Sequence, residues 1–264
     1  MAVRDPIFAM LSDRGRVRRG NEDICIALPQ FGVFAVCDGM GGAAGGEVAS
    51  HLVAETFVTY LSQAEPKQMR IPAQVEAAVE AANRAVFQQA QRTQQLAGMG
   101  TTLVGLLYRP VPEAEASAGS PRPPSLWLVH VGDSRCYLWR SQRLERLTRD
   151  HSLVEEQVRA GQITPEQAVA SPMRNFITRA IGSQPTVEPE IHGSCPRRGD
   201  LYLLASDGLT RELSEEEIGG ILGSIPEGVT QADLYTACRA LVDAANEKGG
   251  GDNITVLLVA INPD

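Results

Sequence analysis

A hydrophobic run that meets an aspartate beside glycine or asparagine recurs along this chain, and it constrains the fold more than any other feature. Phe34-Ala35-Val36-Cys37 leads into Asp38-Gly39. Leu128-Val129-His130-Val131 leads into Gly132-Asp133-Ser134, and Leu203-Leu204-Ala205-Ser206 into Asp207-Gly208. Gly250-Gly251-Asp252-Asn253 precedes the apolar run Ile254–Ile261, and Asn21-Glu22-Asp23 precedes the run that starts at Ile24. The runs have strand length, and each is punctuated by turn residues. Any one Asp-Gly is ordinary turn chemistry. Repetition beside core strands says more. If the strands share one sandwich, several carboxylates meet at one end, where they repel unless cations neutralise them.

The remaining elements follow from periodicity. Ile7–Ser12, Ile24–Leu28 and Val33–Cys37 read as strands, with Pro29–Gly32 joining the last two as a hairpin. Asp38 to Gly46 is too rich in glycine for a helix interior. Helical spacing resumes over Glu47–Gln63 and again from about Pro72 to Leu96. Gly100-Thr101-Thr102 opens a strand through Leu107, and strands are expected at Leu126–Val131, Arg135–Trp139, Arg143–Leu147 and Leu201–Ala205. Residues 109–124 are rich in Pro, Ala, Ser and Glu and read as an exposed loop between paired strands. Ser152–Ala170 is helical with a break at Gly161, and Phe176–Ile181 fits helix or strand. Thr164-Pro165-Glu166-Gln167 and Ser214-Glu215-Glu216-Glu217 carry helix-start signatures, and Thr230–Lys248 is a longer helix ended by glycines. There is no internal repeat and no domain boundary. Many strands with two pairs of helices, not strictly alternating, indicate an α+β fold in one domain, residues 1–264. Two antiparallel sheets face to face with helices outside would use these pieces.

Composition removes several functions. The formal net charge of −8 argues against nucleic acid as a partner. The five cysteines include no CxxC pair, so a thiolate zinc site is not expected, and a reducing cytoplasm fits. No apolar stretch approaches a membrane span, and no signal-peptide pattern opens the chain. His51, His130, His151 and His192 lack metal-ligand spacing and read as structural or surface residues. What is left is carboxylate chemistry. Oxygen ligands suit hard cations, Mg²⁺ or Mn²⁺. A pair of such ions clamps a phosphate and activates a water for in-line attack. Glycine after Asp38 lets the backbone approach an ion closely.

Six strings in order resemble the type 2C metal-dependent protein phosphatases (the PPM family). They are Arg18-Arg19-Gly20-Asn21-Glu22-Asp23, Asp38-Gly39-Met40-Gly41-Gly42, Gly100-Thr101-Thr102, Val131-Gly132-Asp133-Ser134-Arg135, Ser206-Asp207-Gly208-Leu209 and Gly251-Asp252-Asn253-Ile254-Thr255. They span nearly the whole chain, and the DGMGG form resembles the bacterial branch. The resemblance implies a central β-sandwich of two antiparallel sheets flanked by pairs of helices. It implies hydrolysis of phosphoserine and phosphothreonine in proteins, with Mn²⁺ or Mg²⁺, two per site and a third, weaker one. Asp38 would bridge two ions and the Gly39 carbonyl would bind one. Asp207 and Asp252 would complete the first ion, and Asp23, with Glu22, would hold its waters. Asp133 would serve the third ion. Arg18 would bind the substrate phosphate as a two-pronged fork. Arg14, Arg16 and Arg19 are surface charge, and Thr101 and Thr102 structural hydrogen-bonders. Residues of about 150–182, with Arg174-Asn175, resemble a flap beside the site. Phosphorylated proteins are the implied partners, with a serine/threonine kinase in opposition, and a monomer is expected.

One position departs from the family pattern. Eukaryotic relatives carry a histidine, a proposed general acid, directly after the bridging Asp-Gly. Here Met40 stands there, and Ala43 and Ala44 follow where some bacterial relatives have histidine. Two other classes remain to be weighed. A binding-only pseudo-phosphatase would lack metal aspartates, whereas Asp38, Asp207 and Asp252 are all present. A calcium-binding sandwich of the EF-hand type would need DxDxDG spacing, which is absent.

Overall fold

A computed structural model describes residues 6–41, 45–63, 70–110 and 123–261. The expected loop over 109–124 therefore lies mostly outside the described residues, as do Ala43 and Ala44.

Among the described residues, eleven strands form two antiparallel sheets. The first runs in the order β1 (Ile7–Asp13), β11 (Ile254–Ile261), β10 (Asp200–Ala205), β7 (Arg135–Arg140), β8 (Arg143–Arg146). The second runs β2 (Asp23–Leu28), β3 (Val33–Met40), β5 (Leu103–Tyr108), β6 (Leu126–Val131), β9 (Glu190–Ser194), with the short β4 (Gly100–Thr101) paired to the end of β3. Helices α1 (Gly45–Gln63) and α2 (Ile71–Arg92) cover the second sheet. Helices α6 (Glu215–Leu222) and α7 (Gln231–Glu247) cover the first. Among the described residues, α3 (Leu153–Arg159), α4 (Pro165–Val169) and α5 (Asp207–Thr210) are short helices.

Strand alternation builds the layers. In β11 all eight residues are buried. Ile254, Val256, Leu258 and Ala260 face the helices, whereas Leu257, Val259 and Ile261 pack between the sheets with Phe34, Val36, Val104, Leu106, Tyr202 and Leu204. A strand buried on both faces reads as an unbroken apolar run, as this one does. β3 has the same construction, with Val33, Ala35 and Cys37 turned to Val53, Phe57, Val75 and Val79 of the helices. Helix starts follow the capping rules. Thr164, Ser214 and Thr230 each accept from the third helical N–H, and Gln167, Glu217 and Asp233 return the bond to the cap.

The structure moves several expected boundaries. β3 does not stop at Cys37: Asp38 pairs with Asp23, Gly39 with Thr101 and Met40 with Gly100, so the aspartate sits within the ladder. The second helix ends at Arg92, and a separate 3-10 turn covers Gln94–Leu96. Phe176–Ile181 forms no regular element but is tied by bridges of Ile177 to Ser152 and Ile181 to Thr101. β9 and α5 had no sequence signal. β9 is a largely exposed edge strand, paired among the described residues with β6.

Candidate metal centre

The ends of β2, β3 and β6, the start of β11 and the start of α5 bring the expected acidic residues to one place. Asp38 carries the closest accounting. Burial pushes its carboxyl well above the usual range, and the charges of Asp23, Asp207, Asp133 and Asp252 push it further. Asp207 is raised for the same reasons, burial first and Asp133 next, with Arg211 acting against them. Asp23 is pushed up to about 7 and Asp133 to about 6, chiefly by burial. Carboxylates pressed together out of water resist ionising unless cation charge is supplied.

The surrounding hydroxyls and amides hold this cluster in place. Asp38 is gripped through its backbone: its N–H donates to Thr102 Oγ1 (3.0 Å), and its carbonyl accepts from Thr102 N (2.9 Å) and Thr101 Oγ1 (2.8 Å). Thr102 in turn shares a 2.6 Å hydrogen bond with Ser134, beside Asp133. Ser206 donates to Asp23 Oδ2 (2.7 Å) and accepts from Thr255 N (3.0 Å). Asn253 joins three segments. Its amide donates to the carbonyls of Arg14 and Gly20 (2.9 Å each) and its oxygen accepts from Glu22 N (2.9 Å).

Glycine is required where these segments touch. A methyl group on Gly39 would lie 2.2 Å from the Gly46 carbonyl oxygen, and one on Gly46 would lie 2.7 Å from the Glu22 carboxyl carbon. The first residues of α1 thus close over the Asp38-Gly39 corner only because neither position carries a side chain.

The two arginines at the rim are Arg18 and Arg211. Arg18 donates to Asp252 Oδ2 at 2.7 Å and is about half exposed (48%). Arg211 pairs with Asp207 Oδ2 and lies 3.4 Å from Asp252 Oδ2 and 3.9 Å from Asp133 Oδ2. Arg211, Asn253 and Ser206 carry no role in the sequence reading. Ser206 and Asn253 stand inside the family strings and Arg211 two residues beyond one, but their partners are distant in sequence. On the flap side, Arg174 and Asn175 are exposed.

The donor set fits hard cations. Asp23 Oδ1, Asp133 Oδ1 and Asp207 Oδ1 are buried and have no hydrogen-bond partner in the protein, a costly arrangement that a bound cation would satisfy. Among the described residues, these aspartates do not form a group whose ligand oxygens all lie within 4.8 Å of one another. An ion there takes carboxylates with carbonyl oxygens and water completing its shell, as Mg²⁺ and Mn²⁺ do.

The comparisons with known proteins agree with this geometry. The family model described as Protein phosphatase 2C matches residues 20–243. This chain belongs to the protein phosphatase 2C family. Serine/threonine protein phosphatase PstP of Mycobacterium tuberculosis is 40% identical over 254 residues, covering 96% of this chain. The chain spans about half the length (45%) of that relative. Serine/threonine phosphatase stp of Listeria monocytogenes is 35% identical over 257 residues, covering 94% of this chain and 93% of its own. A crystal structure of the M. tuberculosis PstP phosphatase superposes with a TM-score of 0.83 at 38% identity, covering 98% of this chain and 99% of that one. Another, of the PstP catalytic domain in complex with two manganese ions, gives 0.80 at 37% identity over the same shares of the two chains.

For a 2C-family chain a second cluster stands out: among the described residues, His130, His151 and Glu190 place ligand-type atoms within 4.8 Å of one another. Hydrogen bonds occupy His151, whereas both ring nitrogens of His130 are buried without a hydrogen-bond partner among the described residues. His151 Nδ1 accepts from Gly132 N (3.0 Å), and its Nε2 lies 3.2 Å from both Glu190 Oε1 and an Arg179 guanidinium nitrogen. Burial lowers the pKa of His151 and takes that of His130 down to about 3. His151 N also donates to the Gly132 carbonyl (2.8 Å), which ties the flap base to the Asp133 turn. Their spacing along the sequence does not foretell this cluster, which only the fold assembles. Among the described residues, no helix is long and apolar enough to cross a membrane.

Proposed function

We propose that this chain is a protein serine/threonine phosphatase that hydrolyses phosphoserine and phosphothreonine in proteins with divalent cations. The observation that supports it most is the convergence of Asp23, Asp38, Asp133, Asp207 and Asp252, with buried carboxylate oxygens that no protein group satisfies. Asp38, Asp207, Asp252 and the Gly39 carbonyl would hold two ions, Asp23 their waters, and Asp133 a third, weaker ion. When bound, Mn²⁺ or Mg²⁺ supplies a water that ionises near neutral pH and positive charge against the phosphoryl oxygens.

The protein's own groups do the rest. Thr101 and Thr102 fix the Asp38 backbone, so this carboxylate need not reorganise as charge develops on the phosphoryl group. Arg18, half exposed and anchored by Asp252, offers a fork to the equatorial phosphate oxygens and aligns the ester for in-line displacement. The Met40 thioether cannot protonate the departing serine or threonine oxygen, so that proton comes from solvent-derived groups. Arg14, Arg16 and Arg19 add positive charge near Arg18 on a chain of net charge −8, steering acidic phosphopeptides to this edge.

The same reading takes residues 1–264 as one catalytic domain, with residues 150–182 as its flap, acting as a monomer in the cytoplasm against a serine/threonine kinase. Phosphate release from a phosphothreonine peptide tests the function. Turnover is expected with Mn²⁺ and not with excess chelator, and Asp38→Ala and Asp207→Ala are expected to abolish it while remaining folded by circular dichroism. Retained turnover in either variant rejects these roles.

A further inference from the structure

Arg211 is an unusual group to find at the rim of such a cluster. The single turn of α5 stacks it over Asp207, four residues back, and its own N–H closes that turn on the Asp207 carbonyl (2.8 Å). Its guanidinium then faces three carboxylates contributed by three separate segments: Asp207 through Oδ2, Asp252 through Oδ2 at 3.4 Å and Asp133 through Oδ2 at 3.9 Å. Asp252 Oδ2 is also the oxygen that Arg18 holds. Arg211 thus faces the Oδ2 atoms of these carboxylates, while Oδ1 of Asp133 and Oδ1 of Asp207 have no protein partner.

An oxygen lone pair directed at a guanidinium N–H is not available to a metal ion. Arginine also cannot make room by losing its proton, as a lysine can. The conflict is sharpest between Asp133 and Asp207, because one nitrogen, NH2, faces both. Arg18 does not share this position, since its contact is with Asp252.

We propose that Arg211 is a resident cation that competes with divalent metal for the Asp133–Asp207 pair, so that this chain holds its weakest ion through a displaceable guanidinium. The inference rests on the metal centre proposed above. Loading of that position requires the Arg211 side chain to rotate outward, toward the solvent that already reaches about a third of it (31% exposed).

The test is a Mn²⁺ titration followed by calorimetry, with free Mn²⁺ counted by electron paramagnetic resonance. It uses wild type, Arg211→Gln, Arg211→Lys and Arg211→Gln combined with Asp133→Asn. Relative to wild type, Arg211→Gln is expected to tighten the weakest class of Mn²⁺ sites about tenfold. Arg211→Lys, which keeps the charge and loses the fork, is expected to fall between the two. Adding Asp133→Asn is expected to remove the gain. Arg211→Gln is also expected to melt at a lower temperature than wild type in excess chelator, with the order reversed in saturating Mn²⁺. An unchanged weakest class in Arg211→Gln overturns the inference, as does a gain that survives Asp133→Asn. If Arg211→Gln fails to fold, a Mn²⁺ isotherm of Arg211→Lys identical to wild type overturns it too. Absence of Mn²⁺ binding in wild type and Arg211→Gln alike overturns the metal centre itself, a different failure from an Arg211→Gln isotherm that matches a binding-competent wild type.

Discussion

Replacing Asn253 with alanine tests the reasoning about how this site is assembled. The side chain is 4% exposed and makes three hydrogen bonds, to the carbonyls of Arg14 and Gly20 and from the amide of Glu22. Those bonds clamp the turn that carries Arg18 against the turn that carries Asp252. A neutral hydrogen bond contributes about 1 kcal/mol net, and a buried group left unpaired costs about as much again. Arg14 and Gly20 are exposed, so water replaces part of what their carbonyls lose. The expected destabilisation is therefore about 2–3 kcal/mol, or roughly 5–10 °C in Tm for a chain of this size. Arg18 loses its anchorage at the same time, and misplacement by about 1 Å costs on the order of 100-fold in kcat/KM. Asn253→Asp should be no better than alanine. It keeps the acceptor for Glu22 but turns oxygen toward two carbonyls. Urea denaturation and phosphopeptide kinetics on both variants are the assay. A loss under about 0.5 kcal/mol for alanine, or a stable and active aspartate variant, refutes the clamp.

Three further outcomes are expected. In excess chelator, stability should fall as pH rises from about 4 through 7: Asp23 and Asp133 hold protons up to about 7 and 6 in the folded protein, whereas the unfolded carboxyls release them near 3.8, so ionisation favours the unfolded chain in that window. Melting curves at graded pH should show the fall in chelator and lose it in Mn²⁺; a chelated protein whose melting temperature is level across the window contradicts the charge-cluster account. Asp200 is almost fully buried and accepts from Arg140 Nε (2.7 Å), Arg140 NH2 (2.5 Å) and Arg197 N (2.7 Å), at the far end of β10 from Asp207. Asp200→Ala should cost about 2–4 kcal/mol in urea denaturation with kcat per folded molecule unchanged, and altered kcat would mean that β10 transmits strain to the site. With Met40 where eukaryotic relatives have histidine, an aryl phosphate, whose leaving group needs little protonation, should turn over faster than a phosphothreonine peptide; equal rates would show that no missing acid limits the reaction.

The elements that read correctly from the sequence are those whose causes are local. The apolar run Ile254–Ile261 is a core strand wherever it is placed, and Thr164, Ser214 and Thr230 start helices because the cap and its partner lie three residues apart. The apolar runs also put the aspartates beside core strands, where they are found, although Asp38 lies inside the β3 ladder and not beyond its end. β9 escaped because Glu190–Ser194 has little apolar character and is a strand only through the open edge of β6. α5 escaped because one turn of helix has no period to detect.

By itself, then, the chain dictated which segments extend, which coil and which carboxylates stand at their ends, since those depend on neighbours within a few residues. The tertiary structure alone decided that Arg18 would meet Asp252 across 234 positions, that Asn253 would tie Arg14, Gly20 and Glu22 together, and that Arg211 would face Asp133. Such meetings are fixed by the register of paired strands and the stacking of two sheets. The charge and hydrogen bonding that result act through space over a few ångströms, a distance that spacing along the chain does not encode.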